Sequence, residues 1–161
     1  MALLTTDLSD KYTDKVHVAD PIGFRDYGGN KLFHGQIYTV KCHEDNSYVR
    51  KALETDGTGK VLVVDGGGSM RCALLGDMLG ELGVKNKWNG VIVYGCIRDS
   101  AAMAQLSIGV KALATHPLKS NKQNVGQENI RVHFAGVDFA PGEWVYCDED
   151  GILVSPTDLS L

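Results

Sequence analysis

Several absences narrow what this sequence can be. No apolar run approaches the ~20 residues of a membrane span, and residues 1–4 are too short for the apolar core of a secretory leader, so a cytoplasmic protein is expected. The four cysteines (Cys42, Cys72, Cys96 and Cys147) stand far apart, with no Cys-x-x-Cys pair and no His/Cys grouping at zinc spacing. That excludes a disulfide-stapled scaffold and a zinc finger and predicts free, buried thiols. Basic residues form no cluster: 16 Lys and Arg are scattered among 20 Asp and Glu, for a formal charge of -4. Nucleic acid is therefore not expected as a direct partner, because phosphate binding needs a concentrated cationic face. His17, His34, His43, His116 and His133 show no ligand spacing, and there is neither an internal repeat nor a low-complexity segment.

What remains is an ordinary globular composition, 43% hydrophobic and 22% charged, with 19 glycines that imply many tight turns. At 161 residues, positions 1–161 read as one domain, long enough to bury a core without staples. Trp88 and Trp144 read as packing residues.

The chain is organised around residues 60–99, KVLVVDGGGSMRCALLGDMLGELGVKNKWNGVIVYGCIRD. Two short apolar runs, 61–64 and 91–94, each empty into polar or glycine residues. Such runs read as buried strands, and in open α/β sheets ligands collect at the carboxyl ends of strands. If the two strands belong to one parallel unit, both following loops open on the same edge. Before this unit, residues 7–14 (DLSDKYTD), preceded by Thr5 and Thr6, suit a short helix capped by threonine. A strand follows from Gly35, and SYVRKALET forms a helix with Val49, Ala52 and Leu53 on one stripe. After it, residues 100–106 read as a short helix, 110–115 as a third strand, and 118–129 as an exposed polar loop. Alternation in IRVHFAGVDF and the turn in EWVYCDEDGILVS make the tail β-rich. The order favours an α/β sandwich.

Three groups of residues bear on chemistry. The turn at residues 66–68 invites a phosphate-loop reading, since glycines let backbone amides approach an anion. Yet the third place of G-x-G-x-x-G is Arg71, and no Gly-Lys-Ser/Thr follows. A methyltransferase-like reading rests on local likeness alone. For residues 71–86, either one helix runs through Gly76 and Gly80, or the helix restarts at Gly76 and the amides of Gly76, Asp77, Met78 and Leu79 form an anion cradle. Arg98 and Asp99 then sit at a strand mouth opposite the glycine turn. A guanidinium can hold a carboxylate or α-keto oxygen bidentately, and a lone carboxylate with waters is a common protein contribution to a Mg²⁺ site. Together they suit an α-keto acid whose cleavage leaves an enolate.

At VLVVDGGGSMRCALLGDML and VIVYGCIRD, and further at GQIYTVKCHEDN, IGVKALATHPLKS and GEWVYCDEDGILVS, the chain closely resembles the regulator of ribonuclease activity A family, which includes class II 4-hydroxy-4-methyl-2-oxoglutarate aldolases. The resemblance implies a β/β/α sandwich of the swivelling-domain type, assembled as a homotrimer with sites between subunits. It implies cleavage of 4-hydroxy-4-methyl-2-oxoglutarate to two pyruvates, and decarboxylation of oxaloacetate, with Mg²⁺ or Mn²⁺. By likeness, the backbone amides of Gly76, Asp77, Met78 and Leu79 hold the substrate carboxylate, Arg98 the keto acid and its enolate, and Asp99 the metal. Another branch of the family inhibits ribonuclease E without chemistry, and older labels invoke a menaquinone methyltransferase. Retention of Arg98-Asp99 favours the catalytic branch. One departure stands out: aldolase members tend to carry further acids shortly after the Arg-Asp pair, where this chain has Ala102 and Ser107.

Overall fold

Alternation along the central strands decides the architecture. The computed structural model describes residues 2–160. Its elements are, in chain order, α1 (Thr5–Lys11), β1 (His17–Val18), β2 (Arg25–Asp26), β3 (Phe33–Lys41), α2 (Ser47–Leu53), β4 (Lys60–Asp65), β5 (Ala73–Leu75), α3 (Asp77–Lys85), β6 (Gly90–Ile97) and α4 (Ser100–Met103). β7 (Gly109–Thr115), β8 (Gln127–Glu128), β9 (Val132–Phe134), β10 (Val137–Phe139), β11 (Trp144–Asp148) and β12 (Gly151–Ser155) complete the chain.

Val61, Leu62, Val63 and Val64 of β4 are fully buried, because both faces of the strand are covered. Leu62 and Val64 pack with Val91 and Val93 of β6 on one face; Val61 and Val63 join Ile92 on the other. The parallel register Leu62↔Val91, Val63↔Ile92, Val64↔Val93 keeps the two sets apart. The first face is covered by α2 and by Met103 of α4, the second by Phe134, Val137 and Phe139 of the β9–β10 hairpin. Each aliphatic side chain buried this way contributes roughly 1.5–3 kcal/mol.

The result is a mixed sheet in the order β1-β12-β11-β3-β4-β6-β7-β2, parallel from β3 to β7 and antiparallel at both margins, with β5 on β6 and β8 on β3. Helices, sheet and hairpin form the three layers of the expected β/β/α sandwich. All four cysteines are free and buried. No helix among the described residues is long and apolar enough to cross a membrane.

Several local expectations change. The helix of residues 100–106 contracts to α4, β6 runs on to Ile97, and residues 118–129 contain β8. The alternating segment after Ile130 is β-structured as expected and folds into the β9–β10 hairpin. Thr5 is not the cap of α1: Leu4 holds that position without a capping side chain. Instead the Thr5 amide and hydroxyl both donate, at 2.7 Å, to the carboxylate of Asp148, the last residue of β11. The far strand thus supplies the acceptor that a helix start lacks.

Candidate active site

Residues 73–75 form a strand, so the helix does restart. β5 pairs in parallel with the end of β6, Leu75 opposite Ile97, and the chain leaves both strands side by side at Gly76 and Arg98. The Arg98 amide donates to the Leu75 carbonyl at 2.8 Å. Gly76 is extended (φ -127), and its need for glycine is one of space: a Cβ there would lie 2.7 Å from Asp99 Oδ2 and 3.4 Å from Arg98 Cγ and Nε. Asp99 adopts the left-handed conformation (φ 56, ψ 43), uncommon without glycine and frequent at functional sites.

That turn brings the Asp99 carboxylate back over the start of α3. Its Oδ2 accepts the Asp77 amide at 3.0 Å, while Oδ1 has no hydrogen-bond partner among the described residues. The first amide in the α3 ladder is that of Gly80, bonded to the Gly76 carbonyl at 2.9 Å. The cradle therefore differs from the expectation in one respect. The Asp77 amide is already engaged, whereas those of Met78 and Leu79 have no protein acceptor among the described residues and sit at the positive end of the helix.

These groups line a cleft of about 120 Å³ whose wall also includes Arg50, Lys119 and Lys122. Arg50 pairs with Glu54 at 3.3 Å. Among the described residues, no carboxylate lies within 4 Å of the cationic group of Arg98, Lys119 or Lys122, leaving three cations to receive an anion.

The lysine wall comes from the segment expected to be a free loop, and it is pinned. The Ala73 amide donates to the Leu118 carbonyl at 2.8 Å, and the buried Ser120 hydroxyl donates to Asn46 Oδ1 at 2.8 Å while accepting the Asn46 amide. Asp45 Oδ2 receives the amides of Gln123 and Val125. Burial alone would raise the Asp45 carboxyl, but the Ser47, Gln123 and Val125 donors outweigh it and hold it down at about 2. Sequence reasoning missed Asn46, Arg50, Lys119 and Lys122. The only signal was the pair of lysines in LKSNK, and nothing local placed them in one cleft with Arg98.

The glycine turn behaves differently. The amides of Gly66 and Gly68 both donate to the Tyr94 carbonyl at 3.1 Å, and that of Gly67 to Asp65 Oδ1 at 3.0 Å. Glu44 locks the far end of the turn through Ser69 and a two-pronged contact with Arg71. These bonds hold its carboxyl down at about 2.

Ala102 and Ser107 are exposed and bring no acid to the cleft. The second carboxylate there is that of Asp77, twenty-two residues before Asp99 in the chain. No group of three or more His, Cys, Asp or Glu side chains among the described residues could hold a metal. Two carboxylates in an open cleft, one with a free oxygen, suit a hard cation that keeps most of its waters, not a closed zinc site.

A three-layer α/β sandwich with a cationic cleft at the ends of two parallel strands defines the class. The chain belongs to the RraA-like family, described as Aldolase/RraA, whose model matches residues 5–154. A protein of Alkalilimnicola ehrlichii, provisionally named a 4-hydroxy-4-methyl-2-oxoglutarate aldolase, is 57% identical over 159 residues, covering 99% of this chain and 98% of that protein. A Geobacillus kaustophilus structure called S-adenosylmethionine:2-dimethylmenaquinone methyltransferase superposes with a TM-score of 0.96 at 46% identity, covering 98% of both chains. The RNA-processing inhibitor RraA of Thermus thermophilus superposes at 0.93 and 42% identity, covering 97% of this chain and 94% of that one.

Proposed function

We propose that this chain is a divalent-metal-dependent lyase of small α-keto acids, cleaving 4-hydroxy-4-methyl-2-oxoglutarate into two pyruvates and decarboxylating oxaloacetate. The observation that carries the reading is the convergence of the unpaired Arg98 guanidinium, the Asp99 carboxylate and the open amides of Met78 and Leu79 in one cleft. The name borne by the Alkalilimnicola relative supports it. In this reading the two amides receive the carboxylate of the pyruvyl unit. Arg98 binds the keto oxygen, where negative charge develops as the carbon-carbon bond breaks, and so stabilises the enolate more than the ground state. Asp99, with Asp77 alongside, would hold a Mg²⁺ or Mn²⁺ ion, which supplies Lewis-acid polarisation of the keto group when bound. Both reactions leave the same pyruvate enolate, which is why one site serves both. Assembly as a homotrimer belongs to this proposal; Met78 and Leu118 expose apolar side chains beside the cleft that a neighbouring copy would cover.

A coupled pyruvate assay on both substrates, with added Mg²⁺ or with EDTA, tests the proposal. Turnover should require the metal and fall by about 10²–10³-fold in Arg98→Ala, with a comparable loss in Asp99→Ala. Unchanged turnover in both variants would sink it. A second reading, a protein-binding regulator that inhibits ribonuclease E, is favoured by the likeness to the Thermus inhibitor; it predicts retention of ribonuclease E on the immobilised protein and no metal-dependent release of pyruvate. The methyltransferase name of the Geobacillus structure finds less support, because the amides that would cradle a cofactor are spent inside the turn. Absence of heat on titration with S-adenosylmethionine would remove it.

A further inference from the structure

We propose a second small-molecule site at the glycine turn, where Asp65 receives a primary ammonium carried on a short apolar body and residues 118–127 transmit its occupancy to the first cleft. Asp65 closes β4 and is only 7% exposed. Its Oδ1 accepts the Gly67 amide, but Oδ2 has no hydrogen-bond partner among the described residues. Asp65 instead lines a cleft of about 390 Å³ with Lys41, Cys42, His43, Gly67 and Val125. The second oxygen is open to the cleft rather than sealed in the core, so it can take a donor from a ligand, and an ammonium there makes an ionic pair stronger than a neutral hydrogen bond.

The walls define the rest of the ligand. Val125 is 63% exposed along the cleft. Burial, with Asp45 and Asp65 adding to it, pushes the Cys42 thiol up to about 12, so it stays neutral and presents sulfur as an apolar surface. The other acid near Cys42, Asp45, is saturated by Ser47, Gln123 and Val125, which leaves Asp65 as the acceptor with a vacancy. Lys41 stands at the rim without an ion pair to Asp65 among the described residues and acts as the internal competitor.

The two clefts have no lining residue in common, yet one tethered segment walls both: Lys119, Ser120 and Lys122 face the first, and residues 125–127 the second. Asp45 ties the two stretches together, holding the amide of Gln123 between them and that of Val125 at the start of the second. A body wedged against Val125 therefore bears on the same tethered segment that carries the lysines.

Amide NMR on the full chain, titrated with n-propylammonium and in parallel with 1-propanol up to about 50 mM, a range that detects millimolar binding, tests both halves of the proposal. Propylammonium should give saturable shifts at Gly67, Val125 and Gly126 that extend to Lys119 and Lys122, and propanol should not. Asp65→Asn, and separately Val125→Lys at the exposed wall, should each weaken binding at least tenfold, on the order of 1.4 kcal/mol, while Lys41→Ala should tighten it. Absence of saturation, equal response to propanol, or unaltered affinity in both weakening variants overturns the site. Shifts that stop at Gly126 overturn the transmission.

Discussion

Two glycine-bearing turns leave the carboxyl ends of β4 and β5, strands that both pair with β6, and they do opposite things with their backbone amides. The turn at residues 66–68 is richer in glycine and looks more like an anion loop, yet its three amides are consumed by Tyr94 and Asp65. The turn at Gly76 has a single glycine, yet a helix begins there, and a helix start leaves amides without intrahelical acceptors. Glycine in the first turn permits positive φ at Gly67 and Gly68; in the second it permits Asp99 to approach. Glycine content therefore marks where the backbone is tight. It does not mark where the backbone is available.

The contrast can be broken most directly at Gly76. A methyl group there meets Asp99 Oδ2 at 2.7 Å, and a catalytic group misplaced on the order of 1 Å can lose about 100-fold in rate. Gly76→Ala should therefore lose about 100-fold in pyruvate release with little change in Tm; a variant that keeps its rate would dissolve the distinction. Gly66→Ala should do the reverse. Its methyl group would lie 2.5 Å from Leu74 Cδ1 and 2.8 Å from the Tyr94 carbonyl oxygen, so denaturant unfolding should show a loss of about 1–3 kcal/mol with kcat of the folded fraction intact. Gly68→Ala, at φ 70, should cost about 1–2 kcal/mol in the same measurement.

The smallest effect is a pH dependence confined to the lysine wall. The Asp45 carboxyl sits at about 2 when folded, against an ordinary 3.8. A lowered folded value means that its hold on residues 123 and 125 is complete above about pH 4 and is lost as pH falls toward 2. Hydrogen exchange at the Gln123 and Val125 amides, corrected for intrinsic rates, should quicken across that window. Protection that persists to pH 2 would show that the wall does not depend on Asp45.

Much of the fold was legible because buried parallel strands read as unbroken apolar runs; residues 61–64 and 91–94 fall inside β4 and β6. β5 was not legible. Ala73, Leu74 and Leu75 sit where a helical spacing is equally good, and their extended state comes from pairing with β6 and bridging to Lys119. The β9–β10 hairpin was hidden for a related reason: Ala135 and Gly136 both take positive φ, and Ala-Gly lacks the Asn or Asp that usually announces such a turn. The Asp148 acceptor at α1 lies 143 residues away from Thr5, beyond any capping rule.

At the site, the sequence alone determined that Arg98 and Asp99 stand at the mouth of a buried strand, because hydrophobic burial follows from local pattern. It also determined that either of two glycine turns could face them. Tertiary structure decided between the turns and placed Asp77, Arg50, Lys119 and Lys122 around the same cleft. The physical reason is that an amide's availability, like a charge's lack of a partner, depends on what lies across space from it.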